Sequence, residues 1–260
     1  MQNKKEILSK NTDTTLEDLY KNVFVQTVMN ENTKKIKKLL KDDPSLEKKD
    51  GRSKMSDKEK FIVDTFSYMS EIMTKIQTLD YCPAFLNSYP KRKMWEKTFS
   101  RSDYIKYHIE AYLNNLTGVF DRCLLLVNYL FDLGYPKKYV KFETISANSH
   151  LEKESVKKAL ELFNKGLEKV KPLRNFVNHQ GRLSDQDLDK VGEYEFLMRS
   201  GSKFTKRQKN FLLAIIKLGF SSYIRNMKKQ LGKSSENLFK LCNAFFNALF
   251  KKYIERLNSY

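Results

Sequence analysis

The feature that most constrains this chain is an unbroken amphipathic run from about Ser102 to Leu133. Tyr104, Ile105, His108, Tyr112, Leu116, Val119, Phe120, Cys123, Leu124, Val127, Leu130 and Phe131 recur along it at helical spacing. Gly134 and Pro136 follow, the pair that stops a helix. At 1.5 Å per residue such a helix is about 45–50 Å long. Its apolar face needs partners along that whole length, which predicts an all-α bundle with this helix as the spine.

The rest of the chain offers those partners. Only five Pro and nine Gly occur in 260 residues, mostly between amphipathic runs, as expected of a mostly helical protein. Thr14-Thr15-Leu16-Glu17 and Ser56-Asp57-Lys58-Glu59 read as capping boxes. The first opens a helix through Val28, followed by a lysine-rich helical turn at 34–41. Residues 42–60 read as a polar linker. The second box opens a helix with Phe61, Ile62, Phe66, Met69, Ile72, Met73, Ile76 and Leu79 inward. The stretch 80–100, with Pro83, Pro90 and Trp95, reads as an irregular connection. Ser149 is expected to cap a helix ending near Pro172, and Ser184 to begin another. Thr205 caps a helix to about Leu231, and Ser234 or Ser235 caps a last one to about Leu257. The organisation expected is an N-terminal helical region, 1–100, ahead of a helical domain, 101–260.

Charge narrows the function. The chain carries 49 Lys and Arg against 31 Asp and Glu, a net +18. From Arg199 to the end, fourteen basic residues face only Glu236 and Glu255. Such a field draws polyanions by long-range attraction and counterion release. Arg182, Lys206, Arg207, Lys209, Arg225, Lys228 and Lys229 are the expected RNA-backbone contacts. The three cysteines form neither a zinc spacing nor a disulfide framework, so a reducing cytoplasm is expected. The N-terminus has no apolar signal core and no apolar run is long enough to span a bilayer, so no membrane association is expected.

Most familiar chemistries are absent. No phosphate-binding glycine loop or nucleophile elbow occurs. Asp185, Asp187 and Asp189 begin like a calcium loop, but Lys190 stands where glycine is needed and Phe196 where glutamate is needed. They read instead as first-turn acids opposing the helix dipole. His108 reads as a core or interface histidine, and His150 as exposed.

What remains is Arg174-Asn175-Phe176-Val177-Asn178-His179, between Pro172 and Gly181. RNA carries its own nucleophile in the 2′-hydroxyl. Cleaving it needs a proton-transfer group near neutral pH, which His179 supplies. It also needs a permanently charged donor for the developing phosphorane, which Arg174 supplies. Asn175 and Asn178 are placed to orient the imidazole or bind a non-bridging oxygen. No metal or cofactor is called for. Arg174 and His179 are five residues apart, about 140° around an ideal helix. They meet only if the arginine reaches round, if the helix frays at Gly181, or if a second copy of the motif faces the first, as a two-fold dimer allows.

This hexapeptide resembles the signature of the HEPN superfamily: an arginine, four to six residues with a polar one first, then a histidine. The resemblance covers 102–257. It implies a HEPN-like helical bundle, a homodimer with a composite active site, and metal-independent endoribonuclease activity leaving a 2′,3′-cyclic phosphate. It also implies a toxin or anti-phage role, with an antitoxin or defence-system partner. Some such toxins carry a tyrosine two residues past the histidine, where this chain has Gly181. The alternative is a non-catalytic, basic helical RNA-binding or scaffold protein.

Overall fold

The computed structural model describes residues 15–42, 52, 55–89, 99–180, 183–200 and 203–260. Within α7, defined below, the side chains of 176 and 178–180 are outside that description. Among the described residues there are α-helices and short 3₁₀ turns and no strand. The helices are α1 (Leu16–Tyr20), α2 (Val23–Asp42), α3 (Asp57–Phe85), α4 (Arg101–Leu130) and α5 (Phe142–Ser146). They continue with α6 (Ser155–Gly166), α7 (Val170–Gln180), α8 (Gln186–Arg199) and α9 (Lys206–Asn258).

The expected spine is α4. Ser100 caps it in a reciprocal box with Asp103. Buried Glu195 accepts further bonds from the amides of Arg101, at 3.0 Å, and Ser102, at 3.4 Å. At the other end Arg256 donates to the carbonyls of Tyr129 (2.6 Å) and Leu130 (3.3 Å). Both ends of the helix therefore have their exposed backbone groups satisfied from distant elements.

Contacts along α4 fix the directions of its partners. Cys82 meets His108, Lys75 meets Asn115, Glu71 meets Arg122 and Asp64 meets Tyr129, so α3 runs antiparallel to α4. Arg174 meets Asp121, Leu183 meets Glu110, Asp189 meets Lys106 and Glu195 meets Arg101. Thus α7 and α8 form one interrupted antiparallel path along α4. Arg101 packs over Phe220, Tyr112 meets Leu231, and Arg256 meets Tyr129, so α9 runs parallel to it. The buried residues of these helices form one continuous core.

Several expected boundaries move, each for a local reason. The first capping box is Thr15 with Asp18, one residue later than read; Thr14 lies outside the described residues. The chain breaks at Asn22 rather than after Val28. The Asn22 carboxamide accepts from the Phe24 amide (3.0 Å) and donates to Asn243 and Asn247 on α9 (both 2.7 Å). From Val23 the helix then runs straight through the lysine-rich turn to Asp42. The helix α3 passes Pro83 and ends two residues later at Phe85. Proline removes the amide that would bond Leu79, a loss the final turn tolerates. Pro90 and Trp95 lie outside the described residues. Ser149 opens only a 3₁₀ turn, α6 starts at Ser155, and Asp185 rather than Ser184 caps α8.

The largest change is at the C-terminus. The two expected helices are one, α9, with 53 residues, about 80 Å long and longer than α4. Ser235 does not cap. It is buried, and its hydroxyl lies 2.9 Å from the Tyr112 hydroxyl, which donates to the Leu231 carbonyl at 2.9 Å. A glycine such as Gly232 costs about 1 kcal/mol inside a helix. The Tyr112 clamp and the burial of Leu231 and Leu238 on either side offset that cost.

Candidate active site

The motif helix α7 starts where Val170 and Lys171 bond back to the Leu167 carbonyl. Pro172 lies in the first turn, where its missing amide hydrogen costs nothing. Val170, Arg174 and Val177 follow at i, i+4 and i+7 and so share one stripe. Val177 is buried and Val170 partly so. That stripe faces α4 and takes Arg174 with it, while Leu173 is turned outward.

Arg174 is held loosely from two sides. One terminal nitrogen donates to the Asn175 carboxamide oxygen at 3.1 Å, and the other lies 3.8 Å from the Asp121 carboxylate. Its Nε is buried and has no hydrogen-bond partner among the described residues. At 3.8 Å the Asp121 contact is an ion pair rather than a well-formed hydrogen bond. Crowding by the surrounding walls raises the Asp121 carboxyl above its ordinary value, while Arg174, Lys171, Arg122 and Lys75 pull it down. The side chain still keeps 61% of its accessible surface, so water screens much of this balance.

Arg174 and Asp121 open onto a cleft of about 410 Å³, which Lys75, Arg122 and Lys137 also wall. These cations come from α3, α4 and the 3₁₀ turn at Lys137–Tyr139. Arg122 is paired with Glu71 at 2.9 Å. Among the described residues Lys75 reaches only the neutral Asn115 carboxamide, at 3.4 Å. Gly118 makes room for it: a β-carbon there would stand 3.0 Å from the Lys75 ammonium. A second carboxylate of α4, Glu110, accepts the Leu183 amide at 2.5 Å, just beyond the motif. Eleven residues of helix separate Glu110 from Asp121, about 16 Å. The two carboxylates therefore hold the two ends of the motif segment against α4.

The expected site residues fall into separate groups. Arg174 and Asn175 are together on α7. Asn178 and His179 lie on the same helix, and their side chains are outside the described residues, as is Arg182. Lys206, Arg207, Lys209, Arg225 and Lys229 are exposed on α9, and Lys228 is half-buried. None of these α9 cations walls the Arg174 cleft. Arg225 and Lys228 border a different, smaller cleft of about 290 Å³ beside Arg101. Sequence reasoning missed Lys75, Arg122 and Lys137, the cations that do accompany Arg174. They carry no local pattern, because only antiparallel pairing across long sequence separations brings them together.

A larger cleft of about 1090 Å³ lies between the start of α4 and α8, and Arg174 is not in its walls. Its buried cation, Lys106, is paired with Asp189, and its other charged lining residues, Asp103 and Glu193, are acids. Two of the three acids that begin like a calcium loop, Asp185 and Asp189, are likewise engaged. Asp185 caps α8 and accepts from the Tyr223 hydroxyl at 2.8 Å. His108 is half-buried among Phe85, Tyr104 and Tyr107, and His150 is exposed. The three cysteines are free and buried. No helix among the described residues is long and apolar enough to cross a membrane.

An all-helical bundle with an Arg-x4-His segment packed against its central helix is the arrangement expected of a HEPN domain. The chain belongs to that superfamily: the family model described as Cthe2314-like HEPN matches residues 74–253. The match takes in the second half of α3 and so begins before the 102–257 expected from sequence. No curated protein and no solved structure matches the chain. Family membership carries a nuclease-type or RNA-related role at the coarse level.

Proposed function

We propose that the chain is a metal-independent endoribonuclease in which RNA's 2′-hydroxyl attacks the adjacent phosphorus and the P–O5′ bond breaks, leaving a 2′,3′-cyclic phosphate and a 5′-hydroxyl on the next nucleotide. The observation that carries this reading is the placement of Arg174. It lies on the inward stripe of α7, steered by Asn175 and Asp121, at the mouth of a cationic cleft. A guanidinium there has donors left for the equatorial oxygens of a phosphorane. His179 is the proton-transfer group, with Asn178 as its orienting neighbour. Because Arg174 and His179 are five positions apart on one helix, two copies of α7 complete the site as a homodimer. A toxin or anti-phage role belongs to the same proposal, with an antitoxin or defence-system partner.

The test is RNA incubated with the protein in excess EDTA. Cyclic-phosphate ends that appear with the wild type and vanish in His179→Ala support the reading; intact RNA sinks it. A second reading, a non-catalytic RNA-binding protein, draws on the exposed cations of α9. It predicts intact RNA bound with a steep salt dependence. Light scattering adds an independent check, since a strictly monomeric protein that still cleaves overturns the composite site.

A further inference from the structure

We propose that the cleft beside Arg174 is a phosphate-binding subsite, which seats a phosphate group neighbouring the scissile one. It rests on the ribonuclease reading for what lies at Arg174 itself.

The charge inventory points to an anion. Four cations wall the cleft against one lining carboxylate, Asp121. Glu71 neutralises Arg122, and Asp121 partly offsets Arg174. Lys75 and Lys137 are left with no carboxylate partner among the described residues. Two like charges converging on one hollow repel each other, a cost that a bound phosphate would relieve. The Arg174 Nε adds a buried donor at the same place, with no partner among the described residues.

The shape is preformed rather than adaptive. Gly118 leaves the space in which the Lys75 ammonium lies against α4. Lys75 and Arg122 project from the paired helices α3 and α4, whose backbones the core fixes. A space of about 410 Å³ holds a phosphate with part of its sugar. Because Arg174 belongs to this cleft, a strand held there runs directly into the motif. The cations of α9 then act further along the strand, not at this subsite.

An internal phosphodiester and a terminal 5′-phosphate share this chemistry, so the test separates them. Uncleavable 2′-O-methyl oligoribonucleotides are titrated into the full chain in EDTA and followed by fluorescence anisotropy. They are a dinucleotide with one phosphate, the same dinucleotide with a 5′-phosphate, and an unphosphorylated tetranucleotide with three phosphates. The Lys75→Gln/Lys137→Gln variant should bind the tetranucleotide or the 5′-phosphorylated dinucleotide about tenfold more weakly. Its affinity for the one-phosphate dinucleotide should change by less than about twofold. Loss on the tetranucleotide assigns an internal diester, and loss on the 5′-phosphorylated dinucleotide alone assigns a terminal phosphate. Asp121→Asn, which removes the competing carboxylate, should tighten the same ligands by a few-fold. Equal losses on all three ligands, or none on any, overturn the subsite. The ligands resist cleavage, so a protein that never cuts RNA but shows this pattern refutes the ribonuclease reading and leaves the subsite standing.

Discussion

The Arg174 guanidinium stands 3.8 Å from the Asp121 carboxylate across the contact between α7 and α4. That separation orients the arginine without locking it. Arg174→Lys keeps the charge but loses the planar fork that spans two oxygens. RNA cleavage in EDTA should fall at least about a hundredfold, the usual loss on removing a transition-state donor. The pair is partly exposed, so unfolding free energy should change by under about 1 kcal/mol. A variant that cleaves at the wild-type rate would remove Arg174 from the chemistry.

Glu195 is 8% exposed, bonds the first amides of α4, and pairs with Arg199 at 2.6 Å. Hydrogen bonds to a charged group are worth about 1.5–3 kcal/mol each at most in context. Glu195→Ala should therefore cost about 2–3 kcal/mol in urea unfolding, with Glu195→Gln costing less. A loss below about 0.5 kcal/mol for the alanine variant would mean that Ser100 and Asp103 suffice as the cap.

Gly219 lets α9 approach α8. A β-carbon there would stand 2.6 Å from a Val191 methyl, inside any tolerable contact. Gly219→Ala should destabilise by about 1–3 kcal/mol through overpacking. Adding Val191→Ala should recover part of that loss. Additive single effects in the double-mutant cycle would show that the two helices separate freely.

His108 stacks on Phe85 with ring centres 5.1 Å apart, and the edge of Tyr104 lies against it at 4.4 Å. Burial lowers its pKa below the ordinary 6.5, so the unfolded chain takes up this proton more readily than the native one. The contribution to stability is present above pH 6.5 and is lost as pH falls through the lower native pKa. Denaturation at a series of pH values from neutral downward should show the wild type losing more stability than His108→Phe. Parallel curves would place the acid sensitivity in the carboxylates instead.

The elements legible in the sequence were those whose signals are local. The Ser56 and Thr205 capping boxes and the α4 stripe needed no distant partner, although α4 ends at Leu130, where Asp132 takes a positive φ, and not at Leu133 ahead of Gly134. The readings that moved were decided from far away. Ser235 looks like a helix cap until Tyr112, more than a hundred residues earlier, claims its hydroxyl. Asn22 breaks a promising helix because α9 offers it two carboxamides. In the same way, the hexapeptide marked Arg174, but nothing near it marked Lys75, Arg122 or Lys137. Their meeting depends on the register of α3 against α4, which no short window contains.

The continuity of α9 also sets how firmly its parts are held. From Lys206 to Gly219 no side chain of the helix is buried. Fourteen residues of isolated helix would be marginal in water, chiefly because nucleation is unfavourable. Here the nucleus already exists in the packed segment beyond Phe220, and the outer turns only propagate from it. Their opening free energies should therefore form a gradient rather than a step. Native-state amide exchange should slow turn by turn from Lys209 toward Leu231, so the cationic tip breathes on a shorter timescale than the helix that bears it.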